Sequence, residues 1–198
     1  MNTLLRAAAH ASALICLTSA FILTAACSQE DERVDDALPV LITQKPPHLG
    51  PLRLESKMTL ETVSNLFPTF QVTSGQAMSE GMAYPVLRVW TSAHEPLFVI
   101  AVNPDNPVEG QVEIESAAIR LDNGAAVGQS FSALGTTFVY DECLPGMEEQ
   151  SGKVYCPLKN SPTISYVFNG SYSGPDGEVP PKEALQNFTV SSIVWDRR

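Results

Sequence analysis

Several signals of familiar chemistry are missing from this chain. Basic residues are scarce: 12 Lys and Arg stand against 22 Asp and Glu, a formal charge of −10. That excludes the basic footprint of a nucleic-acid binder. The 4 cysteines never form a CxxC pair, so neither a zinc knuckle nor a disulfide-built scaffold is encoded. The 3 histidines, His10, His48 and His94, lie far apart. No stretch has the acidic spacing of an EF-hand loop. Gly128-Gln-Ser-Phe-Ser132 lacks the second glycine of a nucleophile elbow. What is present is apolar material: 44% of the chain, enough for a core in one domain or two small ones.

One long apolar run exists, from Ala7 to Ala26, after a single positive charge at Arg6. Its length admits a membrane-spanning helix. His10, Ser12, Thr18, Ser19 and Thr24 dilute it, and small residues precede Cys27, which reads as a secretory signal over residues 1–26. Leu23-Thr-Ala-Ala-Cys27 resembles the bacterial lipobox, with the leucine one place early. That motif implies lipidation of Cys27, and several acyl chains anchor far more firmly than one. Ser28 in place of an aspartate points to the outer membrane. Residues 27–42 read as an acidic tether: from Ser28 to Asp36 only Val34 is apolar. Removing Arg6 with the signal leaves the rest more acidic still. Such a body is held off an anionic surface and does not lie on it.

In an oxidising compartment, Cys143 and Cys156 are expected to pair. Pro145, Gly146, Ser151 and Gly152 between them suit a loop, and closing it contributes roughly 3 kcal/mol in the chain-entropy description. A reactive thiol or half of a metal site are the alternatives.

The body, 43–198, reads as α+β. Leu49 to Leu54 suits a short edge strand. Thr59 and Glu61 open a helix with Leu60, Val63, Leu66 and Phe67 on one face, stopped by Pro68. Phe70-Gln-Val72 begins a strand, and Gly75 to Gly81 reads as a loop. Tyr84 to Thr91 alternates, with Tyr84, Val86, Arg88 and Trp90 on one side. Pro96 to Val102 is a continuous apolar run, a strand covered on both faces. Val112 to Ser116 alternates with Glu113 and Glu115 on a wet face. The order then recurs: a helical face at Val127, Phe131 and Leu134, strands at Lys153 to Pro157 and Thr163 to Phe168, a helical turn at Pro181, and a strand at Phe188 to Trp195. Ser64 to Phe70 parallels Ser132 to Phe138, and Pro96 to Asn103 parallels Pro162 to Asn169, at near-equal offsets. These correspondences predict two tandem strand–helix–strand–strand–strand units, 49–121 and 126–198, sharing one antiparallel sheet with short helices packed on one face.

Gly128 to Leu134, the two cysteines, Ile164-Ser-Tyr-Val-Phe-Asn-Gly170, Gly174-Pro-Asp-Gly177 and Leu185 to Trp195 together resemble the RpoE-regulated lipoprotein family of proteobacteria. The resemblance is close from Val112 to Trp195 and looser from Leu49 to Val102. It implies an outer-membrane lipoprotein linked to envelope stress, and it implies no activity.

Candidate chemistry is sparse. His94 falls in a turn, Asp176-Gly-Glu178 in a Gly/Pro loop, and Glu113 with Glu115 on a solvated strand face; each suits ordinary surface structure as well as catalysis. No catalytic residue, metal site or cofactor is assigned. The aromatic residues are the remaining signal, since Tyr, Trp and Arg dominate binding hot spots. Tyr84, Arg88 and Trp90 share a strand face, and Tyr166 and Phe168 are expected beside them as a binding face; large side chains filling a core are the alternative. The expectation is a non-enzymatic envelope lipoprotein that binds a periplasmic protein or peptide. An inhibitor of a periplasmic or secreted hydrolase, and a carboxylate-dependent envelope hydrolase, are the alternatives.

Overall fold

The computed structural model describes residues 38–43 and 45–197. The signal segment, Cys27 and the tether as far as residue 37 lie outside the described residues.

Two short strands, β1 (Leu41–Ile42) and β2 (His48–Leu49), pair with each other apart from the main sheet. The edge strand expected from Leu49 to Leu54 is therefore cut to its start. Gly50, at φ 52, turns the chain, and Leu49 and Leu52 exchange backbone hydrogen bonds across that turn. Helix α1 (Leu60–Leu66) follows, capped by Thr59, whose hydroxyl accepts from the Thr62 N–H at 3.2 Å.

The main sheet has eight antiparallel strands: β3 (Gln71–Ser79), β4 (Met82–Trp90), β5 (Pro96–Val102), β6 (Gly110–Ile114), β7 (Leu144–Pro145), β8 (Lys153–Leu158), β9 (Ser161–Asn169) and β10 (Thr189–Asp196). Their order is β3-β4-β5-β6-β10-β9-β8-β7. Short helices α2 (Phe131–Leu134) and α3 (Lys182–Leu185) accompany the sheet. The expected α+β class, an antiparallel sheet with helices on one face, is what forms. The order also falls into two four-strand meanders, each introduced by a helix, and β6 pairs with β10 at their seam, with Ile114 opposite Ile193 and Val112 opposite Trp195.

A second element departs from the sequence reading. The loop expected from Gly75 to Gly81 is strand as far as Ser79, and only Glu80 (φ 50) and Gly81 (φ 74) turn. Positive φ at both central residues gives the two-residue hairpin whose twist matches its strands.

Alternation sorts each strand's residues onto two faces. Leu87, Val89, Phe98, Ile100, Val112, Ile114, Ile164, Ile193 and Trp195 join Val63, Phe67, Phe131, Leu134 and Leu185 in one buried cluster under the helices. The other face, called the outer face below, carries no helix among the described residues.

Candidate functional site

The outer face is built from alternate residues of neighbouring strands. Arg88 lies opposite Val99, Val99 opposite Glu113, Glu113 opposite Val194, and Val194 opposite Ser165. Beside this row lie Val86 and Ala101, and further along Val167 opposite Tyr155. Val86 and Val167 are each 1% exposed and Val194 7%, as buried as core residues although they stand apart from the main cluster. Among the described residues, no helix covers them.

The β3–β4 hairpin spans this side of the sheet towards its far end. β5 pairs with β4 only from Val86 onward, and Pro85, just beyond, has no N–H to offer a further neighbour. The distal part of the hairpin therefore leaves the sheet as a two-stranded arm, free to twist more strongly than the sheet behind it. At its tip the Glu80 N–H donates to Glu149 Oε1 at 3.0 Å. Glu149 belongs to the turn Glu148–Gln150 that precedes β8, near the opposite end of the strand order. The next residue, Gln150, accepts from Lys153 Nζ at 2.7 Å and from the Tyr155 hydroxyl at 3.1 Å, both on the outer side of β8. The arm and this turn thus meet over the outer face and close it into a trough.

The trough has a valine floor and a wall of half-buried polar and aromatic side chains. Tyr84, Arg88 and Trp90 line one side, with Trp90 Nε1 donating to Thr73 Oγ1 at 3.3 Å. Tyr155 and Lys153 line the other. Half-buried Glu113 and exposed Glu115 stand between them on β6 and its continuation. Crowding by the sheet, with Glu113 beside it, raises the carboxyl pKa of Glu115, partly offset by Arg88 and Lys153. Burial and Glu113 together raise that of the Tyr155 phenol. Where the arm meets the turn, each carries an exposed methionine: Met82 at 68% on the arm and Met147 at 64% beside the turn. Methionine is soft and adaptable, and it suits surfaces that accept varied apolar partners.

Two expected members of this face are elsewhere. Tyr166 and Phe168 are wholly buried and point to the opposite side of β9, into the main core. There Phe168 packs on Phe131 and Phe138 with ring centroids 5.1 and 5.3 Å apart. The Tyr166 hydroxyl is satisfied internally, by Asn123 Nδ2 at 3.4 Å and Thr137 Oγ1 at 3.3 Å. The cause is parity: Ile164, Tyr166 and Phe168 share the side of β9 that faces the helices, while Thr163, Ser165, Val167 and Asn169 share the other. Tyr155 and Lys153 take their place, and the alternation of Lys153-Val-Tyr-Cys-Pro157 could have placed both opposite the buried Cys156.

Residues 48–197 match the family described as "Protein of unknown function (DUF1131)". The chain belongs to this family. It is also 27% identical over 128 residues to the uncharacterized protein YfeY of Escherichia coli (strain K12), a match that covers 65% of each chain. The chain thus spans just under two thirds of that relative's length. The crystal structure of uncharacterized YfeY from Escherichia coli is similar at a TM-score of 0.61 and 22% identity, covering 79% of this chain and 98% of that one. That likeness concerns the fold. Both findings agree with an uncharacterised proteobacterial family, and neither speaks to lipidation or envelope stress.

The DUF1131 region contains the trough and both paired cysteines, while Cys27 lies outside it and outside the described residues. Cys143 and Cys156 are joined by a disulfide with Cα atoms 4.2 Å apart. His94 occupies the turn between β4 and β5 at φ 63, its N–H bonded to the Thr91 carbonyl. Ser130 caps α2, accepting from the Ala133 N–H at 3.3 Å, and its hydroxyl lies 3.0 Å from that of Ser132. Asp176 Oδ1 accepts from the Ser151 hydroxyl at 2.6 Å. Among the described residues no three His, Cys, Asp or Glu side chains gather closely enough to hold a metal ion. Each of these groups has a structural task where it stands.

One residue with no sequence signal is Arg197. It is 2% exposed, and its Nη2 donates to the carbonyls of Arg53, Leu54 and Ser56 at 2.7, 2.7 and 2.9 Å. Its guanidinium lies 5.2 Å from the Trp195 ring, and burial lowers its pKa, with Glu55 opposing the shift.

Proposed function

We propose that the chain is a non-enzymatic lipoprotein of the bacterial envelope, tethered to the outer membrane through Cys27, and that the trough on its sheet docks a periplasmic protein or peptide. The carrying observation is the rim of half-buried Tyr84, Arg88, Trp90 and Tyr155 on the outer face, with exposed Met82 and Met147 where the arm meets the turn. Binding needs a few aromatic anchors and an arginine on a rigid support. Catalysis would need groups held in mutual reach with tuned pKa values. The signal, lipobox and acidic tether of the sequence support the location, and the resemblance to envelope lipoproteins supports a link to envelope stress.

Two experiments test the parts separately. Cys27→Ala in the full chain is expected to release the protein or leave its signal uncleaved, read by fractionation with labelled palmitate. A variant that stays in the outer membrane at normal size overturns the anchor. For the trough, a photo-crosslinking residue at Trp90 or Tyr84 is expected to give a discrete adduct in cells, weakened by Tyr155→Ala. The same residue at His94 is expected to give none. Equal labelling at all three positions overturns the docking face.

A further inference from the structure

The two edges of the main sheet are unlike. At one end β7 has two residues, one of them Pro145, and follows directly on the disulfide-bonded Cys143. Short length and proline are common protections of an edge. At the other end β3 has nine residues, is exposed along most of its length, and contains no proline. It bonds to β4 on one side only. It also carries no charge: no Asp, Glu, Lys or Arg occurs between Glu61 and Glu80, in a chain with 22 acidic residues. The usual electrostatic and proline safeguards against strand addition are absent from this edge.

We infer that β3 pairs antiparallel with β3 of a second copy of this chain, about a two-fold axis at Gly75, to make one continuous sheet. This inference stands apart from the trough and does not depend on it. The hairpin turn at Glu80 and Gly81 makes Ser79 and Met82 a hydrogen-bonded pair. By alternation Gln71, Thr73, Gly75, Ala77 and Ser79 bond to β4. The N–H and C=O groups of Val72, Ser74, Gln76 and Met78 then point away from the sheet.

An axis at Gly75, the middle of the strand, overlaps all nine residues. It sets Val72 opposite Met78 and Ser74 opposite Gln76, so outward groups meet outward groups and exchange about eight hydrogen bonds. On the helix side, Met78, 65% exposed, gains Val72 of the second copy as a neighbour. On the outer side, Thr73 faces Ala77. Glu80, the nearest acid, falls opposite Phe70, so the axis brings no like charges together. A charged peptide would be selected by an edge of opposite sign, and this edge has none. It fits a neutral strand, and β3 is itself that strand.

The test uses the full chain in its membrane with Gly75→Cys. A Cβ there touches only Val86 Cγ2, at 3.9 Å, and the backbone is not in the left-handed region, so the site accommodates the change. Across the axis the two introduced thiols face each other at a non-hydrogen-bonded pair, where Cα atoms lie roughly 4.5 Å apart, within disulfide range. Mild oxidation is expected to give a disulfide-linked dimer on a non-reducing gel, at least about tenfold above a Glu183→Cys control on exposed α3. Adding Ser74→Lys with Gln76→Lys places lysines opposite each other and is expected to return the yield to the control level. Equal cross-linking at both positions, or a yield indifferent to the lysines, overturns the inference. So does a monomer mass for the detergent-solubilised, unsubstituted chain at every concentration up to roughly 100 μM. That last measurement decides the matter even if the lysine variant fails to fold.

Discussion

Tyr166 and Phe168 show how much one step along a strand changes a side chain's role. Both sit in the aromatic cluster formed with Phe131 and Phe138. Phe168→Ala is expected to cost about 3–5 kcal/mol in urea unfolding. Trp90→Ala, on the half-exposed face, is expected to cost far less. Near-equal losses would mean that the outer face is a second core. Glu115 gives a pH-dependent expectation. Its pKa is raised above the ordinary 4.5, so the folded protein holds a proton there that the unfolded chain has already lost. Ionised Glu115 therefore lowers stability above its folded pKa, and the penalty fades as pH falls towards 4.5. Glu115→Gln is expected to stabilise the protein slightly at pH 7 and to be neutral below the ordinary carboxylate pKa; a gain that persists in acid would contradict the assignment. At this scale the sequence showed Tyr84, Arg88 and Trp90 on one face by strict alternation. In β9 the alternation of Ile164, Tyr166 and Phe168 with Thr163, Ser165 and Asn169 also marked the buried side, blurred by Val167 alone.

Among the elements, apolar runs bounded by turn residues were the most legible. β5 spans Pro96–Val102 as read, and β9 contains the predicted Thr163 to Phe168. β3 was only half seen. Ser74, Gly75, Gln76 and Ser79 have the composition of a loop, and an edge strand with exposed faces makes no demand for apolar alternation. Gly110 marks another constraint. It opens β6 at φ 151, and a Cβ there would fall on the Ala101 carbonyl oxygen of the paired strand. Gly110→Ala is expected to cost at least about 1–3 kcal/mol from backbone strain, read by thermal or urea unfolding. The disulfide pins the short β7 edge and the turn that meets the arm. Its loss is expected to cost about 2–5 kcal/mol. Alkylation without reduction should leave both thiols unlabelled, and labelling of the native oxidised protein would contradict the bridge.

For the molecule as a whole, the β6–β10 seam joins the two meanders. β10 is buried along most of its length, and Ile193 and Trp195 lie in the one cluster that both halves share. Neither half can cover that cluster alone. Fragments 38–121 and 122–197 are each expected to show no cooperative unfolding by circular dichroism, whereas the joined chain does. A fragment with a sharp transition would show two separable units. The recurring order of helix and strands was readable from two sequence correspondences. The trough was not, because it depends on accumulated twist bringing Glu80 to Glu149, 69 positions away.

The place of β10 also sets an order in time. A ribosome completes β3 to β6 and then β7 to β9 before it makes the strand that lies between them in space. Until β10 arrives, whether at the ribosome or after export N-terminus first, the chain can form only two unjoined ribbons, each with an unpaired inner edge at β6 or β9. The middle of the sheet is thus the last part to exist, and a chain stopped short of residue 189 would keep both inner edges open to any passing strand.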